Sequence, residues 1–284
     1  MHHRTRNNRL AALLGVSTVI ATLVTPAALV AQDANARQTL QITREIVKPG
    51  KGGAHAKHEV AWSRALEAAK YTGGALAMTS MSGANEVWFL SQYGTMADLQ
   101  KMNEGYAASP ALMAVSDKYA PAEADMLNNS LTMIASRRSD LSYTSGTPIQ
   151  ALRYMTVQRI AVKVGHNTEF VDARKIIKAA HEQTKMPDGF TVYQVNDGAP
   201  SGTYLVLRGL KSLAELDTNP HSANYVAAIG GADGQKKLND MAMSYENSAD
   251  VTLFQLNPAM SILPKEWSDA DPFWKPKAAL KKTP

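Results

Sequence analysis

Two histidines, His55 and His58, stand three residues apart within residues 54–71, a stretch that contains neither proline nor glycine. Residues three apart on a helix share a face, so the two imidazoles would point the same way. With Glu59 beside them they could help hold a metal ion, or act as acid–base groups near neutral pH. Spacing and glutamate position both differ from the His-Glu-x-x-His of zinc hydrolases. A metal needs a third ligand and the local sequence shows none, so no metal is assigned. The alternative is a pair of satisfied, partly buried histidines. Trp62, Trp88, His181 and Tyr204 complete the candidate cleft residues. Aromatic side chains of this kind also serve as ordinary core. His166 and His221 fall at expected helix starts, as exposed residues.

Other chemistry is limited by what the chain lacks. It has no cysteine, which removes disulfides, thiolate metal sites and thiol nucleophiles. No phosphate-cradling Gly-x-x-x-x-Gly-Lys-Ser/Thr, no Gly-x-Ser-x-Gly elbow and no dinucleotide fingerprint is present. Gly230 to Gly234 is glycine-rich but interrupts a helical pattern instead of following a strand. Met78, Met81, Met96, Met102, Met113, Met126 and Met133 crowd the first half, as adaptable core filling or a greasy ligand pocket. Arg137, Arg138 and Arg153 could bind an anion or simply carry surface charge.

The elements that must position these groups follow from periodicity and turn residues. Strands are predicted over 39–47, 75–81, 86–93 and 130–137, and helices over 54–71 and 95–103. A further helix over 110–127 is expected to bend or break near Pro121. Gly73-Gly74 reads as the left-handed cap of the first helix. After the Gly146-Thr147-Pro148 linker the order restarts. Strands over 153–164, 190–196, 203–207 and 249–256 accompany helices over 168–185, 212–217 and 224–246, the last broken near Gly230.

Landmarks align the halves. Gly50 meets Gly165 at an offset of 115, Trp88 meets Tyr204 at 116 and Leu99 meets Leu216 at 117. Each half is strand-helix-strand-strand-helix-strand, the ferredoxin-like pattern, whose sheet leaves one face needing cover. The fold class is therefore α+β: two tandem ferredoxin-like repeats packed sheet to sheet as an intrachain α/β barrel. At offset 115, His55 and His58 fall on Phe170 and Ala173, which belong to the apolar, sheet-facing side of the later helix. Both histidines are thus expected to face inward, and His181, falling on Leu66, to be half buried.

The chain has 284 residues, 45% hydrophobic and 19% charged, enough for a sizeable core. Residues 1–36 read as a secretory signal: Arg4, Arg6 and Arg9, an apolar run from Leu10 to Val24, then small residues, with cleavage expected after Ala36 or Ala31. Beyond it 27 basic and 24 acidic residues remain, too mild a balance for nucleic acid. The remaining units are 37–145, 146–256 and a proline-rich tail over 257–284, expected to be irregular with its aromatic residues lying on the domain, the alternative being a latch over a cleft or a partner-docking arm. No later segment reads as a membrane span. The mature chain is expected outside the cytoplasm, periplasmic or secreted, as a monomer or homodimer.

The tandem order of strand, turn and helix resembles the dimeric α/β-barrel superfamily over about residues 38 to 256. NIPSNAP-like members are the most similar, through Ile46-Val47-Lys48-Pro49-Gly50-Lys51 and the strand from Glu86 to Leu90. The second half departs from the motif, with Val164-Gly165 in place of Pro-Gly. That resemblance implies the fold. It leaves activity open, because such families include cofactor-free monooxygenases, haem-handling proteins and members without a known activity. The expected function is an exported barrel that binds a small apolar ligand or serves as an interaction module. The alternative is a cofactor-free monooxygenase-like or haem-related enzyme using a cleft histidine. No particular cofactor is specified.

Overall fold

The computed structural model describes residues 38–217 and 223–275, so the segment expected to be a secretory signal, His221 and the last nine residues lie outside it. The first half runs β1 (Thr39–Val47), α1 (Gly52–Ala68), β2 (Leu76–Ser80), β3 (Glu86–Tyr93), α2 (Met96–Ala107), α3 (Pro110–Ala124) and β4 (Leu127–Arg137). The second runs β5 (Tyr154–Val162), α4 (Asn167–Thr184), β6 (Thr191–Asp197), β7 (Thr203–Leu210), α5 (Ala223–Ala228), α6 (Gly231–Tyr245) and β8 (Glu246–Leu256). A short α7 (Lys265–Ala270) lies in the tail.

The eight strands close into one antiparallel barrel in the order β1-β3-β2-β8-β5-β7-β6-β4. Each half contributes four neighbouring strands. The halves are stitched by β2 to β8, with Met78 opposite Leu256, and by β4 to β6, with Ala135 opposite Val195. This is the expected tandem ferredoxin-like barrel, closed within one chain. Strand alternation divides the side chains between lumen and helices. Leu40 and Ile42 of β1 join Met155 and Val157 of β5 in the interior cluster. Val47 packs outward in the first half, and Ile160 and Val162 pack outward beneath α4.

That alternation corrects the Trp88–Tyr204 landmark. Ile42 pairs with Leu90 and its repeat Val157 pairs with Leu207, so the β3-to-β7 offset is 117, not 116. A slip of one residue exchanges the faces of a strand. Trp88 therefore lies in the lumen beside Phe254, whereas Tyr204 lies outside the barrel against Phe170. Gly50 and Gly165 do match: both take positive φ, 79° and 87°. Two helix ends also differ from expectation. The left-handed residue after α1 is Lys70, φ 64°, and not the Gly73-Gly74 pair. Pro121 does not break α3, because it falls near the helix end, where few backbone bonds remain to be lost.

Both barrel ends are closed by side chains. At one, Arg44 Nε and Nη2 donate to the Glu86 carboxylate at 2.6 and 2.5 Å, and Trp88 Nε1 donates to it at 2.7 Å. Arg159 and Asp250 form the corresponding pair in the second half at 2.6 Å. At the other end lies the tail. Ile262 bridges to Ala75, and Trp267 and Trp274 are buried within the interior cluster. Trp274 Nε1 donates to the Gln150 carbonyl at 2.7 Å, and Arg153 pairs with Asp271 while stacking over Phe273. The tail aromatics thus reach further in than a surface position, because the barrel mouth leaves apolar side chains to be covered. Gly209 allows this closure: a Cβ there would stand 2.2 Å from Leu152 Cδ1.

Candidate functional site

In α1 the buried positions are His55, Glu59 and Ser63, a polar stripe facing the sheet. Ser63 donates to the Met260 carbonyl at 2.8 Å. The other two meet Glu45, an outward residue of β1. His55 Nε2 lies 2.8 Å from Glu45 Oε2 and 3.8 Å from Glu59 Oε1. His58 Nε2 lies 3.8 Å from the same Glu59 oxygen. Glu123 of α3 interacts electrostatically with Glu45 and completes the cluster. Neither His58 Nε2 nor Glu59 Oε1 has a hydrogen-bond partner. Trp62 stacks on Tyr119, and His58 packs edge-on to both rings.

Burial governs the electrostatics. It raises the Glu45 carboxyl to about 7, against a smaller lowering by the Glu123 hydrogen bond. Burial raises Glu123 to about 7, helped by the charge of Glu45 and the bond to it. Burial raises Glu59 to about 9, helped by the charges of Glu45 and Glu123. Both imidazoles are lowered, again by burial first. The cluster therefore retains protons on its carboxyls near neutral pH and exchanges them in the range useful to a general base. Glu123 also lines a surface groove with Ala120, Ala124 and residues 127–130, which connects the cluster to solvent.

The six candidate residues do not share one cleft. His55, His58 and Trp62 come together under α1. Trp88 is in the lumen, on the far side of the sheet. His181 and Tyr204 belong to the second half, because α4 covers its own sheet face there. His181 Nδ1 donates to the Ile177 carbonyl at 2.8 Å, and its ring is walled by Tyr143, Phe190 and Tyr225, so it is a satisfied core histidine. Local reading missed Glu45 and Glu123, which come from other elements. Glu45 had a signal: at offset 115 it falls on Ile160, the same apolar-to-polar exchange that marks His55 against Phe170.

A separate cavity of about 500 Å3 lies at the tail end of the barrel, roofed by residues 143–150. Leu40, Leu76, Leu90 and Leu207 form apolar wall. Gln38 accepts from Arg137 Nη1 at 3.2 Å and from Gln92 at 2.5 Å, while Arg137 Nε has no partner. Among the described residues no histidine lines this cavity, so no imidazole is supplied there as an axial haem ligand. Nor does the cluster suit haem, since both imidazoles are packed among side chains with His55 only 1% exposed.

No protein-family model matches the chain, and no curated protein matches its sequence. Solved structures do share the fold. An anthrone oxidase-like protein aligns with TM-score 0.51 at 14% identity, over 80% of this chain and 94% of its own. A monooxygenase candidate from Fusobacterium nucleatum aligns with TM-score 0.49 at 11% identity, over 78% and 93%. A mutant chlorite dismutase from Candidatus Nitrospira defluvii aligns with TM-score 0.47 at 9% identity, over 87% and 99%. These are similarities of the ferredoxin-like barrel fold. At such identities they do not transfer a site.

Proposed function

We propose that this chain is a small-molecule enzyme of the monooxygenase type, with the imidazole–carboxylate cluster under α1 as its reacting centre. One observation carries the reading: the buried His55 Nε2 pairs with Glu45 Oε2 at 2.8 Å, beside the groove that Glu123 lines. Glu123 takes a proton from a substrate in the groove, and the Glu45–His55 pair lies behind it and sets its surroundings. Deprotonating an activated methylene prepares it for dioxygen: the CH2 group and O2 become a carbonyl and water, with no electrons left over. The name of the anthrone oxidase-like neighbour makes hydroxylated anthrones the first substrates to try. Oxygen uptake with such substrates is expected from the unmodified chain and is expected to fall at least tenfold in Glu123→Gln and His55→Ala. Uptake that survives both substitutions would overturn the assignment.

A second reading is favoured by the unpartnered Arg137 Nε in the cavity of about 500 Å3. An apolar ligand bearing a carboxylate would satisfy it. Tryptophan fluorescence titrated with aryl or alkyl carboxylates tests this, with Arg137→Met expected to abolish saturation. Export and the NIPSNAP-like resemblance are likewise proposals, resting on residues 1–36 and on the turn at residues 46–51. N-terminal sequencing of the processed protein tests the first. Among the described residues no helix is long and apolar enough to cross a membrane.

A further inference from the structure

We infer that Glu45, His55 and Glu59 bind one divalent transition-metal ion, of the zinc, manganese or iron(II) kind, with His58 and Glu123 at its open side. The inference rests on the reading of this cluster as the reacting centre, and it names the cofactor that centre would use. Glu45 Oε2, His55 Nε2 and Glu59 Oε1 all lie within 4.8 Å of one another. Bonds of about 2.0–2.2 Å to imidazole nitrogen and carboxylate oxygen put neighbouring ligand atoms about 3 Å apart. The separations of 2.8 and 3.8 Å from His55 to the two glutamates bracket that spacing, so small side-chain adjustments close the shell.

What points to a ligand is Glu59. It is 5% exposed, and its Oε1, aimed between two imidazoles, has no hydrogen-bond partner. A buried carboxylate oxygen left unpaired is rare and destabilising unless something is bound there. His58 Nε2, also without a partner, faces the same oxygen. An imidazole among the ligands, with a second beside the open side, suits the borderline first-row ions better than calcium or magnesium, whose shells are all oxygen. The second half supplies a comparison within the molecule. At offset 115 the three ligand positions become Ile160, Phe170 and Arg174, packed in or beside apolar core. That equivalent position offers no ligand set, so among the described residues one site per chain is expected. An ion held by Glu45, His55 and Glu59 leaves Glu123 on the groove for proton transfer.

The test uses the full chain without an affinity tag, stripped with chelator, then dialysed against zinc, manganese or anaerobic iron(II) and measured by elemental analysis. Cobalt(II) absorption reports the ligand geometry. One ion per chain is expected, with at least a tenfold loss of affinity in Glu59→Gln and in His55→Ala and no change in His181→Ala. Circular dichroism shows which variants fold, and the nearly isosteric Glu59→Gln keeps the test available if His55→Ala does not. No ion retained, or the same retention in the folded Glu59→Gln variant, overturns the inference. If no ion binds but oxygen uptake still needs His55 and Glu123, the metal falls and the enzyme reading stands. If an ion binds and uptake is indifferent to those residues, the enzyme reading falls alone.

Discussion

Replacing Glu59 by glutamine in chelator-treated protein is expected to stabilise the fold, and to stabilise it more as pH rises. Burial, with the charges of Glu45 and Glu123, lifts this carboxyl from 4.5 to about 9. The unfolded chain ionises the group freely above 4.5, whereas the folded chain keeps it protonated until about 9. Its share of stability is therefore intact below 4.5 and is lost progressively as pH climbs toward 9. Near pH 7.5, roughly three units past the ordinary value, at about 1.4 kcal/mol per unit, the loss is about 4 kcal/mol. Near pH 5 it is less than about 1 kcal/mol. Glutamine keeps the shape and has no proton to retain, so the loss should vanish. Urea denaturation of both proteins across this range should show midpoints that diverge as pH rises. Midpoints that stay parallel, or a variant less stable at the alkaline end, would refute the view of Glu59 as a desolvated, unpaired carboxyl. Adding a divalent ion should then stabilise the unmodified chain and leave the variant unchanged.

The remaining expectations follow from other contacts. Arg44→Met strands Glu86, whose carboxylate is 5% exposed, and should lower stability by about 3–5 kcal/mol in urea, with most of that recovered in Arg44→Met/Glu86→Leu. Glu86 is held below its ordinary range by Arg44 and Trp88 in spite of burial, so its share of stability is present above 4.5 and is lost as pH falls through the folded value; Glu86→Gln should flatten that acid limb in pH-dependent melting. Trp267→Ala removes a side chain 1% exposed from the interior cluster and should destabilise by about 3–5 kcal/mol in thermal melting, with a dye for exposed apolar surface binding at the opened mouth. Oxygen uptake by the chain should rise with pH through about 7 as Glu123 gives up its proton; a rate falling over that interval would remove it as the base.

The barrel was legible because period-two strands, period-three helices and the repeated Gly50 and Gly165 turns all pointed to the same order. Face assignment was less secure. Trp88 and Tyr204 look like partners in sequence, yet the hairpin before Tyr204 is two residues longer than the one before Trp88, so the true offset is 117 and pairing them at 116 is a slip of one residue, enough to exchange the faces of a strand. The site was half legible. His55 and His58 advertised themselves by spacing, but Glu45 and Glu123 are brought in by strand pairing and helix packing across tens of residues. Local spacing cannot report such contacts. The depth of the tail was hidden for a related reason: its prolines read as irregular backbone, yet α7 forms there and sets Trp267, with Trp274 beyond it, into the interior cluster.

Closing the barrel within a single chain has a consequence for how its halves can change. In a barrel built from two identical subunits, each substitution is made twice, and a residue that weakens one side weakens the other. Here the two sides have separate sequences. The second half keeps Phe170, Tyr204 and Tyr245 packed against one another as a conventional core. The first half carries Glu45 and Glu59 buried where the second has Ile160 and Arg174, so the cost of those buried carboxylates is met once and not twice. One half serves as ballast, and the other is free to hold chemistry.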